Sequence, residues 1–451
     1  MANLLASLNT AARSMMALDE ALAVVRNNVT NALTPGYVRQ RPDLVALAFQ
    51  PDLELPGGVD ALGLISSRSA FSERAVWRQS ARFGSASALA SALGRLEPLM
   101  EIGAGAGVAG ALDRLYAAFS DLTVTPNDIP ARENVMRQAG EVAAAFRYLA
   151  GGLATQQEEA RREAHHMTGE VNRLATVLRD LNHEIRQDYR KRSDAGLDAR
   201  LHAALEELAE YVDFTVLPQE DGSYTVLLGG QTPLVIGDRV FEIAADTSGS
   251  TAAILDFNGQ PAAVSSGRLA GVLQFANENL RAYREDLDRL AAALADEVNG
   301  VLAAGVDING LPPSVGLFQY DSGGGAALTI EVTAILPAEI AAALPGAPGG
   351  NGNALALAGL ASSRLIDGYT FSEFYGRVSG RVGQDISTTI DEERSASMLL
   401  SQSRFLRDQE SAVSLDEEAA SLIAYQQAYQ ASAEMVRVVN ELTEVVLSLL
   451  R

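Results

Sequence analysis

Few residues of this chain have types and spacings that could do chemistry. There are four histidines, His165, His166, His183 and His202, one lysine, Lys191, and no cysteine. A zinc site takes three or four convergent ligands. His165 and His166 sit in a stretch rich in Gln, Glu and Arg, and His183 follows in a similar one. That pattern reads as a solvated helix face. The lack of cysteine removes disulfides, thiol nucleophiles and Cys-ligated zinc together. Gly105, Gly107 and Gly110 spell G-x-G-x-x-G. A dinucleotide site needs a strand before that motif and a helix after it. Here the preceding Leu93 to Ile102 is not β-rich and contains Pro98, so the glycines read as a loop between helices. No G-x-S-x-G, H-E-x-x-H or Walker motif occurs. A hydrolase with paired carboxylates is the competing reading, and it rests only on acidic residues being plentiful. The expectation is no enzyme, no cofactor and no metal.

The elements that would have to position such groups are mostly helical and extensive. The chain has 451 residues, enough for two to four domains. Its 57 acidic against 35 basic residues give a net charge of −22. Such a charge repels nucleic acid and anionic lipid, so neither is an expected partner. Arg13, Asp19 and Glu20 interrupt any apolar N-terminal core, and no long uncharged apolar run occurs. Neither a cleaved signal peptide nor a membrane insertion is expected.

Both ends carry helical seams. Leu4, Leu8, Ala11, Met15, Leu18, Leu22, Val25 and Val29 alternate four and three apart, which places them on one helix line. The line ends at Asn27-Asn28-Val29-Thr30-Asn31, where Asn side chains compete for backbone hydrogen bonds. In Thr34-Pro35-Gly36-Tyr37, Pro35 keeps Thr34 out of the helical region and Gly36 can turn the chain at positive φ. Val38-Arg39-Gln40 should then run extended. At the other end, Ser414 and Glu417 suggest a capping box. Asp416, Glu417 and Glu418 suit the first turn of a helix. Leu415, Leu422, Tyr425, Tyr429, Val436, Val439, Val446 and Leu450 continue as a seam, with Glu418, Ser432 and Thr443 in its gaps. A second stripe, Met435, Val438, Leu442, Val445 and Leu449, lies beside it. One partner helix cannot bury both stripes. The pattern allows either an N–C helix pair closing a globule or helices that assemble with other subunits, and the wide stripe favours assembly.

Between the ends, residues 66–210 read as long amphipathic helices. From 211 the pattern shortens into β-rich runs around Val212, Tyr224, Val235, Val240 and Ile254, punctuated by Gly222 and Gly229-Gly230. Helix resumes near Gly267, with Leu280, Tyr283, Leu287, Leu290, Leu294, Val298 and Val301 on one stripe. The fold class is mainly α with a small β domain. The domains are discontinuous. A terminal paired-helix, coiled-coil domain comprises 1–65 with 405–451. A helical core comprises 66–210 with 265–404. A small β-rich outer insertion spans 211–264.

Two blocks carry a resemblance. Asn28, Asn31, Thr34, Pro35, Gly36 and Tyr37 resemble the N-terminal signature of bacterial flagellar rod, hook and junction proteins. Asp416, Glu417 and Glu418, with Tyr425-Gln426-Gln427-Ala428-Tyr429, resemble the C-terminal block of the FlgK family, hook-associated proteins of the hook–filament junction. The similarity is strongest at 1–45 and 410–451 and weakest at 185–262. Leu302 stands where the family often has His. The resemblance implies a structural subunit that joins hook to filament by terminal-helix packing in a helical tube. A hook or distal-rod structural protein is the alternative. It implies as partners other copies in the junction ring, the hook protein, a second junction protein and an export chaperone on the C-terminal helix. It implies a place in the extracellular flagellum, reached by the flagellar type III route. In the free chain the terminal helices are expected to be mobile and to order in the tube.

Overall fold

The computed structural model describes residues 2–50, 55–100, 106–188, 191 and 193–449. Leu450 and Gly105 lie outside the described residues. The chain opens with α1 (Ala2–Asn31), followed by β1 (Gln40–Ala46), β2 (Phe49–Gln50), β3 (Leu55–Pro56) and β4 (Val59–Ser66). Next come α2 (Ala70–Gly94), α3 (Glu97–Met100), α4 (Gly107–Val124), α5 (Ile129–Gln187) and α6 (Ala195–Tyr211). The β-rich part holds β5 (Phe214–Pro218), β6 (Tyr224–Leu228), β7 (Thr232–Ile236), β8 (Arg239–Val240), β9 (Ala244–Asp246) and β10 (Ala253–Leu255). Then follow α7 (Arg268–Gln274), α8 (Leu280–Ala303), β11 (Phe318–Gln319), α9 (Ala326–Thr329) and β12 (Glu331–Val332). Last are α10 (Gly352–Gly359), α11 (Phe371–Ser411) and α12 (Leu415–Leu449). The fold is mainly helical with small antiparallel sheets, and the N- and C-terminal helices pack on each other.

The spine of the core is α5. Its 59 residues span about 88 Å at 1.5 Å per residue. Pro130 in the first turn leaves no lost donor there. Val135, Ala139, Val142, Phe146, Leu149 and Leu153 begin a buried line that continues to Ile185. It packs on α4, α6 and α8. Buried Arg132 fastens a returning loop to its start, donating to the carbonyls of Pro126 (2.9 Å), Ala338 (3.1 Å) and Ile340 (2.5 Å). The stripe on α8 is buried from Leu280 to Val298 and closes on Leu302, which is core, while Val301 is half-buried.

Helix ends follow their local chemistry. Thr370 and Glu373 form a reciprocal capping box on α11, at 3.2 and 2.9 Å. Ser69 caps α2. α2 lies along α11, and this pair leads from the terminal helices into the core.

The β-rich part is a four-stranded antiparallel meander, β5–β6–β7–β8, followed by the β9–β10 hairpin. Its first strand begins at Phe214; Tyr211 is still helical. Val226, Leu228, Leu234 and Val235 are buried and join the same apolar cluster as the helices. Asparagine amides hold the strands down by pairing with both backbone groups of one residue. Asn172 holds Ile243 at 2.8 and 3.0 Å, and Asn182 holds Tyr224 at 2.8 and 2.9 Å. Asn277 holds Ala252 at 2.7 Å in both directions. Each pair satisfies a donor and an acceptor that the short strand leaves open.

Candidate functional site

The last turn of α1 meets the first turn of α12, so the terminal pair runs antiparallel. Asn28 is the centre of this joint and is 1% exposed. Its amide donates to the Gln40 carbonyl (2.8 Å) and to the Glu418 carboxylate (3.0 Å). Its oxygen accepts from the Gln40 N–H (3.0 Å) and the Tyr37 hydroxyl (2.9 Å). Asparagine supplies two donors and an acceptor in one planar group, and here they are all engaged. Glu418, also 1% exposed, accepts from Arg39 Nε at 2.6 Å. Arg39 Nη1 pairs with Glu417. That pairing takes the Glu417 carboxylate away from its helix, so the box at Ser414 keeps only the Glu417 N–H to Ser414 Oγ bond, at 3.4 Å. Burial and the nearby Glu418 charge push the Tyr37 phenol up to about 12, against a weaker opposing bond from Asn27.

The turn before Tyr37 forms because Thr34 N–H bonds the Asn31 carbonyl (2.9 Å) and Tyr37 N–H bonds the Thr34 carbonyl (3.1 Å). Gly36 has φ of 73°, and a Cβ there would stand 2.3 Å from the Ala199 carbonyl oxygen. Glycine is needed on both counts. This contact seats the turn on α6.

Three chain crossings join the terminal pair to the core, and they are stitched together. Arg39 N–H bonds the Ser411 carbonyl and Ser67 N–H bonds the Arg39 carbonyl, each at 2.9 Å. Beneath them lies an ionic cluster. Arg68 pairs with Glu73, reaches Asp198 at 2.8 Å and donates to the Gly36 carbonyl at 2.6 Å. Arg407 bridges Glu206 at 2.7 Å and Glu73 at 3.8 Å. Burial would raise Asp198, but His202 and Arg68 outweigh it together and hold its carboxyl below the usual range. His202 Nδ1 lies 3.0 Å from the Asp198 carbonyl and 3.3 Å from its carboxylate, and the ring stacks on Trp77 with centroids 6.0 Å apart. Removing one member of such a buried set leaves an uncompensated charge, so the cluster fixes its elements relative to one another.

The seam residues divide by position. On α1, Ala11, Leu18 and Val25 are buried, Leu4, Leu8, Met15 and Leu22 are half-buried, and Val29 is exposed. The fully buried line also uses Ser14, Ala17, Ala21, Val24 and Asn28. On α12, Leu422, Tyr425, Tyr429, Val436, Val439 and Val446 are half-buried and Leu415 is exposed. Ser432 and Thr443 in the gaps are half-buried too. Met435, Val438, Leu442 and Val445 stand 42–61% exposed, beyond the cover of α1. Of the motif residues, the joint gathers Asn28, Gly36, Tyr37, Glu417 and Glu418. Asn31 and Thr34 build its turn. Pro35, Asp416, Gln426 and Gln427 are exposed around it. Arg68, Glu73, Glu206, Arg407 and Ser411 were not legible as site residues, because each acts through a partner far away in sequence.

Among the described residues, no group of three or more His, Asp or Glu converges as a metal site. His165 instead meets Thr247 at 2.9 Å. No described helix is long and apolar enough to cross a membrane.

Residues 93–318, half of the chain, match the profile described as the flagellar hook-associated protein FlgK helical domain. The chain belongs to the FlgK family. Residues 403–449 match a second profile, described as the flagellar basal body rod FlgEFG protein C-terminal. The terminal helix therefore does not by itself separate junction from rod protein; the helical domain does. The chain is 27% identical to flagellar hook-associated protein 1 of Bacillus subtilis, covering 98% of this chain and 97% of that one. It is 23% identical to the protein of the same name from Salmonella typhimurium, over 67% of this chain and 57% of that one. The flagellar hook junction protein FlgK from Burkholderia pseudomallei has the same fold, with a TM-score of 0.68 at 14% identity. It covers 76% of this chain and 100% of that one. The chain is thus a structural hook–filament junction protein of the flagellum and not an enzyme.

Proposed function

We propose that the chain joins hook to filament as a junction-ring subunit, through packing of its terminal helices against those of neighbouring subunits in a helical tube. The observation that carries this reading is the uncovered stripe Met435, Val438, Leu442 and Val445 on α12. α1 occupies one side of α12 and leaves this side to water. Apolar area is worth about 25 cal/mol per Å² when covered, so neighbouring helices are its natural cover. The predicted seams of α1 and α12 extend that surface wherever they remain half-buried.

In this reading, residues 1–65 with 405–451 form the assembly domain and 66–210 with 265–404 the helical core. Residues 211–264 form an outer β-rich part. The joint around Asn28 and Arg68 transmits load from one to the other. Like copies, the hook protein and a second junction protein are the partners in the tube. An export chaperone covers α12 before type III secretion to the extracellular flagellum. Deleting residues 415–451 tests the reading. The account expects finished hooks without filaments by electron microscopy and loss of chaperone binding. Normal junctions built from the truncated chain would overturn it.

A further inference from the structure

A groove runs between α2 and the start of the β-rich part, from β5 to the loop at Ser265 and Ser266. Its deeper end is a cavity of about 320 Å³ with an apolar floor of Trp77, Ala81, Val212, Phe214 and Val216. Arg74, Arg78 and Arg82 line it along α2. They stand four residues apart, about 6 Å each along the axis. Arg74 Nε donates to its own helix at Ala70 (3.0 Å). Among the described residues none of the three guanidiniums otherwise meets a partner, and none meets a carboxylate, whereas Arg68, Arg173, Arg289, Arg407 and Arg437 are all paired.

Two carboxylates, Asp213 and Glu392, face the groove, but neither forms an ion pair with these three arginines, which leaves the lining net positive. Asp213 is occupied by Ser265 N–H (2.9 Å), Ser265 Oγ (2.6 Å) and Ser266 N–H (3.2 Å). Glu392 lines the far end from α11 but makes no ion pair with Arg78 or Arg82. Asp391 beside it pairs with Arg394 at 3.0 Å. Trp77 keeps a buried indole N–H without an acceptor at the floor.

We propose that this groove seats an acidic helical face of a second copy of the chain, with its carboxylates on Arg74, Arg78 and Arg82 and an apolar side chain on the Trp77 floor. The inference rests on the assembly reading above and names one contact within it. Charge complementarity chooses the occupant. Each copy carries a net charge of −22, so most approaches between copies set like charges against each other. A row of three cations without ion-pair partners is where an acidic copy can close with less of that penalty. The same net charge argues against nucleic acid as occupant.

The test uses flagella isolated from cells whose full-length chain carries the photo-crosslinker p-benzoylphenylalanine in place of Arg78 or, on the facing wall, Leu217. The expected product on illumination is a crosslinked dimer of this chain, mapping to an acidic helix. Crosslinks only to another flagellar protein would overturn the proposal, as would no crosslink from an incorporated variant. The double variant R78E/R82E should lower recovery in isolated junctions about tenfold, with its far-UV helicity and melting unchanged. Normal recovery would contradict the proposal. If the unaltered chain were missing from isolated junctions, the assembly reading itself would fall, and the inference with it.

Discussion

Asn28→Ala isolates the joint from everything else in the fold. The side chain makes four hydrogen bonds, and alanine removes all of them. Two losses are partly compensated. Glu418 keeps Arg39 at 2.6 Å, and the half-buried Tyr37 hydroxyl keeps Asn27 at 3.1 Å. The other two are not. The N–H and C=O of buried Gln40 both face the lost amide, and an unsatisfied buried backbone group costs about 1–3 kcal/mol. The joint should therefore lose about 3 kcal/mol, roughly a hundredfold in its opening equilibrium. The core, whose apolar cluster centres on α5, should not notice. Hydrogen exchange by mass spectrometry, on the chain assembled in isolated junctions where the terminal helices are expected to be ordered, reads both at once. Peptides from residues 15–31 and 415–425 should exchange about a hundredfold faster in the variant, with peptides from 135–185 unchanged. Acceleration below about threefold at the joint would refute the reasoning, since 3 kcal/mol could not be invested there. Equal acceleration across the core would refute it differently, by showing that the joint is no separate unit.

Gly36→Ala should unseat the turn from α6. A positive-φ alanine costs about 1 kcal/mol or more, and its Cβ would sit 2.3 Å from a backbone oxygen, so a lower melting temperature and faster exchange at residues 32–40 are expected. Arg68→Met strands Glu73 with only Arg407 at 3.8 Å and should destabilise by about 3 kcal/mol in urea titration, whereas a loss below 1 kcal/mol would make the cluster ornamental. Tyr37 provides a pH signature. Its folded pKa of about 12 lies above the unfolded value near 10, so its contribution is complete below pH 10 and is lost as pH rises through 12. Exchange at the joint should quicken across that window in the native chain, and Tyr37→Phe should remove the tyrosine's share of the change.

What the sequence makes legible follows from how local each signal is. The turn at Thr34–Tyr37 is readable because proline fixes φ and glycine permits positive φ without help from elsewhere, and Gly36 does take positive φ. The α8 stripe is readable because helical periodicity repeats over seven residues. The seam of α1 is readable in direction but not in phase. Large side chains mark Met15, Leu22 and Val29, yet the joint buries Ser14, Ala21 and Asn28 one residue earlier. Small side chains let the partner backbone approach, and Ser14 and Asn28 find hydrogen bonds there, with Ser14 Oγ accepting from Val59 N–H at 3.1 Å. A hydrophobicity pattern cannot see either reason. The hairpin of β1 and β4 also escapes, because β1 carries Pro42 and Asp43 and β4 is interrupted by Gly63. Glu418 looks like a first-turn dipole residue in sequence. Only the fold brings Asn28 to it across 390 residues and makes it the buried centre of a joint.

A cryo-electron microscopy map of the native hook–filament junction tests the central claim most directly. The account predicts α1 and α12 in the inner wall of the tube, with Met435, Val438, Leu442 and Val445 packed against another subunit. A map in which that stripe faces water, while the ring is held by other parts of the chain, would contradict it.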